Sequence, residues 1–406
     1  MDGLVIGLDL CDIYTQVSCF GREDVWTIPT VICKKKEADE WYVGEEAYGL
    51  TLVGQGIIVD KLLSLVMKDG TATLEGVKYT GMELLQKYLK RVLALPAEGK
   101  ETQVSQLVIT LQTIDVKMMD ALMYCADYVG IPRDHVHIIS HAESFSYYVL
   151  SQKKEVWNSH VGLFELSEER LCYYELQAQR GMKKMTVLAE YENLEEGFNL
   201  DILKTASGMK LADKILCSCA DRLMQKKLYS AVFLTGKGFE SQEWAPDFMR
   251  MVCSKRRVYA ENGLFAKGAA YKSMDDTQDK SSYPFVMICE GHLNVTISVP
   301  VLYKERGSQL ILAAAGDNWY ECKSTVDLIA DGQDYVEFQL APLHSRETRL
   351  VRIPLEGFPK RPPRTTRVQI QVGFLDERTM AVAIKDKGFG DMFPASDAVV
   401  KQEVML

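Results

Sequence analysis

The sequence predicts a duplicated α/β domain of two lobes followed by an all-β sandwich. Three observations predict it. First, residues 4–20 (LVIGLDLCDIYTQVSCF) hold an apolar run, an acid near its end, a polar turn and a second strand-like run. Residues 160–176 (HVGLFELSEERLCYYEL) repeat that outline, with Glu165 where the first copy has Asp9. Second, each copy leads into another strand-like run, residues 24–34 and 185–191, and then into helical segments. Two halves of strand, strand, strand and helix suggest a duplicated fold with a cleft between the halves. Third, after Tyr283 the helical period disappears and short alternating runs take over, the pattern of a β-sandwich.

A chain of 406 residues has room for two or three domains. Hydrophobic residues make up 47%, enough for real cores. The formal net charge of -9 leaves no electrostatic footprint for nucleic acid or an anionic membrane, so neither is an expected partner. Ten cysteines are scattered without CxxC spacing. The closest pair, Cys217 and Cys219, has neither zinc nor redox spacing, so all ten read as reduced thiols of a cytoplasmic protein. The N-terminus lacks a basic segment, and Asp9 interrupts its apolar run. It therefore reads as neither signal peptide nor membrane span.

Taken in order, residues 4–10 form a strand buried on both faces, because the run is almost wholly apolar. Asp9 near its end fits a carboxylate that makes only turn hydrogen bonds better than one holding a metal-bound phosphate. Residues 25–34 are strand-like, with Pro29 favouring an edge or bulge. Residues 40–49 turn back, and Lys61 precedes a Leu-rich helical patch in residues 57–68. Thr80 and Glu83 form a capping box for a helix over 80–93, with Leu84, Leu85, Tyr88, Leu89 and Val92 on its buried face. A strand over 107–111 precedes a helix over 115–128 that stops at Gly130, with Pro132 beyond. A strand at 136–139 and an aromatic-rich helix at 142–152 end the first half.

The second half continues with a largely helical stretch over 200–226, broken near Gly208, and a strand over 229–234. A glycine turn, TGKGF at 235–239, leads to helices over 243–251 and 262–272. The polar residues 274–282 read as an interdomain linker. The sandwich strands are expected at 285–289, 293–299, 309–315, 320–329, 336–340, 348–353, 368–374 and 380–384. Residues 357–366 (GFPKRPPRTT) read as an extended loop with solvated charges, and the last ten residues as a frayed tail.

The order of these pieces resembles the DnaK-type heat-shock chaperones, in which an actin/hexokinase-like ATPase domain precedes a peptide-holding β-sandwich. IGLDLCDIYT from Ile6 resembles that family's first phosphate strand and loop. WTIPTVI from Trp26 and YVGEEAYG from Tyr42 resemble its next segments, and IIVDKLLSL from Ile57 the one carrying its catalytic lysine. LVITLQT and GIPRDHVHIISHAESFSYYV are similar to the strand, helix and connecting segment that end its first lobe. AVFLTGKGF from Ala231 resembles the adenosine turn, and AKGAAY from Ala266 the segment closing the domain. PLEGFPKRPP and RVQIQVGFLDERTMAVAIKDKGFG resemble the last sandwich strands. The resemblance spans nearly the whole chain in order. It implies an ATPase-type domain over 1–273, with lobes of about 1–155 and 156–273, a linker over 274–283, a sandwich over 284–396 and a tail over 397–406. It also implies Asp9 and Lys61 as the residual catalytic candidates, and Asp9, Lys61 and Gly236 as the residual nucleotide-binding positions.

The phosphate loops depart from that family. Its first Gly-Thr-Thr is Cys11-Asp12-Ile13 here, and its second loop, Asp-Leu-Gly-Gly-Gly-Thr, is Glu165-Leu166-Ser167-Glu168-Glu169-Arg170. Without those glycines the backbone cannot approach a phosphate closely, and Asp12, Glu168 and Glu169 would repel a triphosphate. His141 stands at the family's connecting glutamate, and Lys237 replaces its second adenosine-turn glycine. Only about 70 residues separate Glu165 from Thr235, too few for the inserted subdomain that clamps adenine. The helical lid of the chaperones has no counterpart after the sandwich.

Other constellations point to no chemistry. His135, His137 and His141 lack a carboxylate or cysteine at ligand spacing, so no metal site is expected. Met118, Met119, Leu122 and Met123 read as core, and Lys255-Arg256-Arg257 as a solvated turn. The expectation is a non-catalytic, chaperone-like or scaffold protein: a pseudo-ATPase with no required cofactor and a protein or peptide partner. The alternative is a divergent DnaK-like chaperone that still binds and hydrolyses Mg-ATP.

Overall fold

In the computed structural model, Leu4–Leu10 is the centre of a five-stranded sheet. The structure describes residues 3–97, 103–168, 170–180, 185–194, 198–254, 256–343, 345 and 347–406. They divide into two compact units, Met1–Phe285 and Val286–Leu406.

The first unit holds two sheets of matching plan. In one, the order is Val136–Ser140, Val104–Leu111, Leu4–Leu10, Tyr14–Cys19, Val25–Pro29. In the other, the five strands Arg257–Ala260, Tyr229–Thr235, His160–Leu166, Leu171–Arg180 and Met185–Asn193 follow the same order. In both, the central strand pairs antiparallel with the strand that follows it and parallel with the one on its other side. Asp9 and Glu165 each stand one residue before the end of their central strand, beside Thr110 and Thr235 of the parallel neighbours.

Two helices lace these sheets together. Leu264–Asp275 follows the strand Arg257–Ala260 of the second sheet yet packs on Leu4–Leu10 and Val104–Leu111 of the first. A Cβ on Gly7 would lie 2.2 Å from the Ala266 carbonyl oxygen, so only glycine lets helix and strand meet. His141–Leu150 follows the last strand of the first sheet and reaches the second, where Phe145 meets Tyr174 and Tyr148 meets Phe233. The helices touch at Gly268, where a Cβ would sit 2.0 Å from the Ser144 carbonyl oxygen. Ser144 Oγ donates to the Phe265 carbonyl at 2.5 Å.

Local signals explain most boundaries. Thr80 and Glu83 form the capping box at the head of Gly81–Val92. Gly130 takes the left-handed conformation after Val116–Val129. The strand expected over 25–34 is two strands, Val25–Pro29 and Ile32–Lys35, because Pro29 has no N–H with which to continue a ladder. Residues 40–49, read as a return, hold the strand Trp41–Val43 and the start of helix Gly44–Leu52. The stretch over 200–226 is a 3₁₀ turn, Leu200–Lys204, and one helix, Ala206–Met224. Gly208 lies in that helix's first turn, where the Thr205 hydroxyl caps its N–H.

The segment read as a free linker is fastened to the first unit. The helix runs on to Asp275, whose carboxylate accepts from Ser281 Oγ and Ser282 N at 2.6 Å each. Asp276 accepts from His137 Nδ1 at 2.8 Å and pairs with Lys272. Burial works against the Asp276 charge, but His137 and Lys272 hold its carboxyl below the usual range. Replacing both aspartates by alanine is expected to weaken the C-terminal turn of this helix by about 1–3 kcal/mol. Faster amide hydrogen exchange in 270–282 reads that loss, and unchanged exchange refutes it.

The second unit has two antiparallel sheets around one core. One has the order Arg306–Ala313, Val295–Tyr303, Tyr335–Pro342, Arg349–Pro354, and the other Ser324–Ala330, Thr366–Asp376, Thr379–Asp386, Val399–Met405. Inward side chains of both, among them Ile297, Phe338, Ile370 and Ile384, share a single apolar cluster. The expected frayed tail is instead the edge strand Val399–Met405, which pairs with Thr379–Asp386 and buries Val404. The connector charges are not all solvated either. Arg361 Nη1 and Nη2 donate to Oδ1 and Oδ2 of the fully buried Asp386 at 2.7 Å each.

Candidate functional site

Each unit has a concavity at a place that bears on function. The first lies between the lobes of the first unit, has a volume of about 490 Å³, and is lined by Cys11, Asp12, Leu63, Met67, Gln112 and Arg170 among others. It sits where the two acid-bearing strands end, the place that the repeated outline marks in the sequence.

Its polar groups are turned on each other. Asp12 leaves the first turn and caps Leu62–Met67: Oδ1 accepts from Leu63 N at 2.7 Å, and Oδ2 accepts from Ser64 N and Oγ. The introduced acid thus holds backbone donors of its own chain. Arg170 Nη2 donates to Glu165 Oε1 at 2.8 Å, and its Nη1 donates to Gln112 Oε1 just beyond strand Val104–Leu111 of the other lobe. Burial opposes the Arg170 charge, but Glu165 outweighs it and the guanidinium stays protonated. Tyr174 OH donates to Glu165 Oε2 at 3.1 Å. The Cys11 thiol, pushed up to about 12 by burial and then by Asp9, is no nucleophile.

Asp9, Lys61 and Gly236 do not gather in this cavity. Asp9 is fully buried and accepts from His141 Nε2 at 2.8 Å. The His141 ring stacks on Phe265 with centroids 3.9 Å apart. Lys61 is exposed and takes the left-handed conformation, φ 51°, before Leu62–Met67. Gly236 has φ +91°, and a Cβ there would lie 2.5 Å from the Leu166 carbonyl oxygen, so the glycine serves a close backbone approach. Lys237 pairs with Glu168. Glu169 and Lys255 lie outside the described residues. The three histidines do not converge: His135 Nδ1 meets the Ser105 carbonyl oxygen, His137 meets Asp276 and His141 meets Asp9.

Sequence reasoning gave Arg170 and Gln112 no role. The signal available was one arginine closing an otherwise acidic loop, but its partners are set by folding.

The second concavity is a groove of about 1030 Å³ in the second unit. It runs between the open edges of the two sheets, strands Arg306–Ala313 and Ser324–Ala330. Val299, Val301, Leu328 and Ile329 give it an apolar wall. Leu302 and Ile329 are 68% and 52% exposed. Its acids are Glu305, Asp327, Asp331 and Glu337, and its cation is Arg364. Arg364 Nε is spent on Asp331 at 2.9 Å, and Glu337 pairs with Arg352. The sequence pattern predicted a sandwich, and the family resemblance implied that it holds peptides, without naming any of these residues as its site.

All ten cysteines are free thiols. No helix among the described residues is long and apolar enough to cross a membrane. No curated protein matches the chain. Residues 292–406 match a domain of unknown function (DUF8552). Residues 13–290 match the family described as Family of unknown function (DUF5716) C-terminal, and the chain belongs to that family.

Proposed function

We propose that this is a non-catalytic, chaperone-like or scaffold protein of the cytoplasm. Its first unit is a degenerate relative of the DnaK-type, actin-like ATPase domain, and its second unit binds an extended polypeptide. The observation that carries the reading is the internal use of the described charged groups at the two turns of the interlobe cleft. Asp12 is consumed by Leu63 N and Ser64, Arg170 by Glu165 and Gln112, and Glu168 by Lys237, while Asp9, behind the cavity, accepts from His141 through Oδ1. A triphosphate entering there would have to break these contacts and would meet Asp12, with like charges costing several kcal/mol if desolvated. The plan that five strands of each lobe share supports the kinship with the duplicated ATPase fold. The apolar groove between open strand edges supports the polypeptide partner.

Calorimetric titration of the full chain with Mg-ATP tests the first half. No heat of binding is expected. Asp9→Ala should lower the melting temperature through the lost His141 contact, with no nucleotide-dependent change in either protein. Micromolar binding with turnover would restore the ATP-dependent alternative. Titration with a fluorescently labelled unfolded polypeptide tests the second half, and saturable binding is expected.

A further inference from the structure

We propose that the second unit joins two copies of this chain: the open edge of Val399–Met405 pairs antiparallel with the same edge of a second copy, about a two-fold axis at Gln402. The groove proposed for a polypeptide plays no part in it. That groove lies against Ser324–Ala330, and Val399–Met405 is the opposite edge of the same sheet, so the pairing leaves the groove open.

The backbone comes first. Val399–Met405 pairs with Thr379–Asp386 on one side, and no other strand among the described residues pairs with it. Asp386 N donates to the Ala398 carbonyl at 3.1 Å, and Leu406 N to the Arg378 carbonyl at 2.7 Å. These bonds close the two ends of a ladder in unbroken register. Hydrogen-bonded positions alternate along such a ladder, so the even-numbered residues of this strand face Thr379–Asp386. Val399, Lys401, Glu403 and Met405 therefore turn their N–H and C=O groups to the open edge. The Met405 carbonyl also accepts from Arg349, which leaves it a second lone pair. The strand carries neither Pro nor a bulge, two of the devices that keep edges from pairing.

The side chains then select the occupant. A lysine on an edge commonly guards it, but here Glu403 follows Lys401 on the same face. Their neighbours on Thr379–Asp386 are Ala381 and Ala383, which offer no counter-charge. Two copies related by a two-fold axis meet through the same patch, residue i on j and j on i. Centred on Gln402, the strand VVKQEVM is complementary to its own reverse. Lys401 of each copy lies opposite Glu403 of the other, Val400 opposite Val404, and Val399 opposite Met405. Val404 belongs to the core and Val400 packs against it, so their pairing extends that core into the second copy. Val399 and Met405 are 43% and 61% exposed and would gain cover. Moving the axis to Lys401 or to Glu403 would set like charges opposite each other, which disfavours those registers.

The test follows the oligomeric state of the full chain by sedimentation. A reversible dimer is expected, weak because one strand buries less than a standard interface, and half-formed at or below about 100 µM. Lys401→Glu and Glu403→Lys each set like charges opposite each other on both sides of the axis, and each should weaken the dimer about tenfold or more. Mixing the two variants should restore a dimer, now between unlike chains, because every charged pair is then of opposite sign. That recovery also shows that both variants fold. Gln402→Cys places two Cα atoms roughly 4.5 Å apart, within the range of a disulfide. It should cross-link under mild oxidation well beyond the level that the exposed Cys253 gives in the wild type. A chain that stays monomeric up to about 100 µM, or a dimer indifferent to both charge variants and to their mixing, overturns the inference.

Discussion

Substituting Arg170 by methionine should destabilise the first unit by about 3–5 kcal/mol, the cost of removing one partner of a buried ion pair. Glu165 has no exposed surface and would keep only the Tyr174 hydroxyl. Methionine fills much of the same space, so the loss would report charge rather than a cavity. Gln112 would also lose its donor, and with it a contact that joins the two lobes. Denaturant unfolding of the full chain gives the stability. The double variant Arg170→Met, Glu165→Gln should recover a large part of the loss, because it leaves no bare buried charge. A loss below about 1 kcal/mol for the single variant would mean that the pair is solvated and the cleft open.

The second large effect is expected at Asp386. Its carboxylate accepts from Arg361 twice, from Ser396 N and Oγ, and from Gly388 N, all within 2.9 Å. Burial alone would raise this carboxyl, but these five donors hold it well below the usual carboxylate range. Asp386→Asn should therefore cost the second unit about 3–5 kcal/mol near neutral pH. The pH dependence follows from the depressed value. The stabilisation is complete above the ordinary carboxylate pKa of about 4 and is lost as the pH falls below it towards the folded value. The gap between wild type and Asp386→Asn should thus be constant from pH 7 to about pH 5 and narrow in more acid solution. Hydrogen exchange in Thr366–Asp376 and Thr379–Asp386 measures it in the full chain. A gap that widens on acidification would contradict the assignment.

Much of this architecture is legible in the amino-acid order because its signals are local. The alternation around Leu8, the capping box at Thr80 and Glu83, and the stop at Gly130 each act within a few residues. The two acids at matching strand ends are likewise visible in the repeated outline. The roles of the site residues are not visible, because they depend on partners far away in sequence. Asp12 reads as a charge opposing phosphate, yet it serves as a cap for backbone donors at Leu63 and Ser64. His141 reads as a replaced glutamate, and only folding brings it to Asp9. Arg361 sits in a Pro-rich basic stretch whose composition suggests solvated charge, and Asp386 turns it inward. The edge strand Val399–Met405 follows a stretch of turn residues, and its apolar positions are too few to announce pairing.

The helix Leu264–Asp275 has a consequence for how the protein is made. The strand Leu4–Leu10 is covered by a helix synthesised about 260 residues after it. Until Ala266 and Ala270 arrive over Gly7, one face of the N-terminal sheet has no cover from its own chain. At an elongation rate of about 5–20 residues per second, that interval lasts tens of seconds at the slow end. A nascent chain in this state presents Val108 and Ile139 to whatever is nearby. The first lobe therefore completes its packing only after the second lobe has been made.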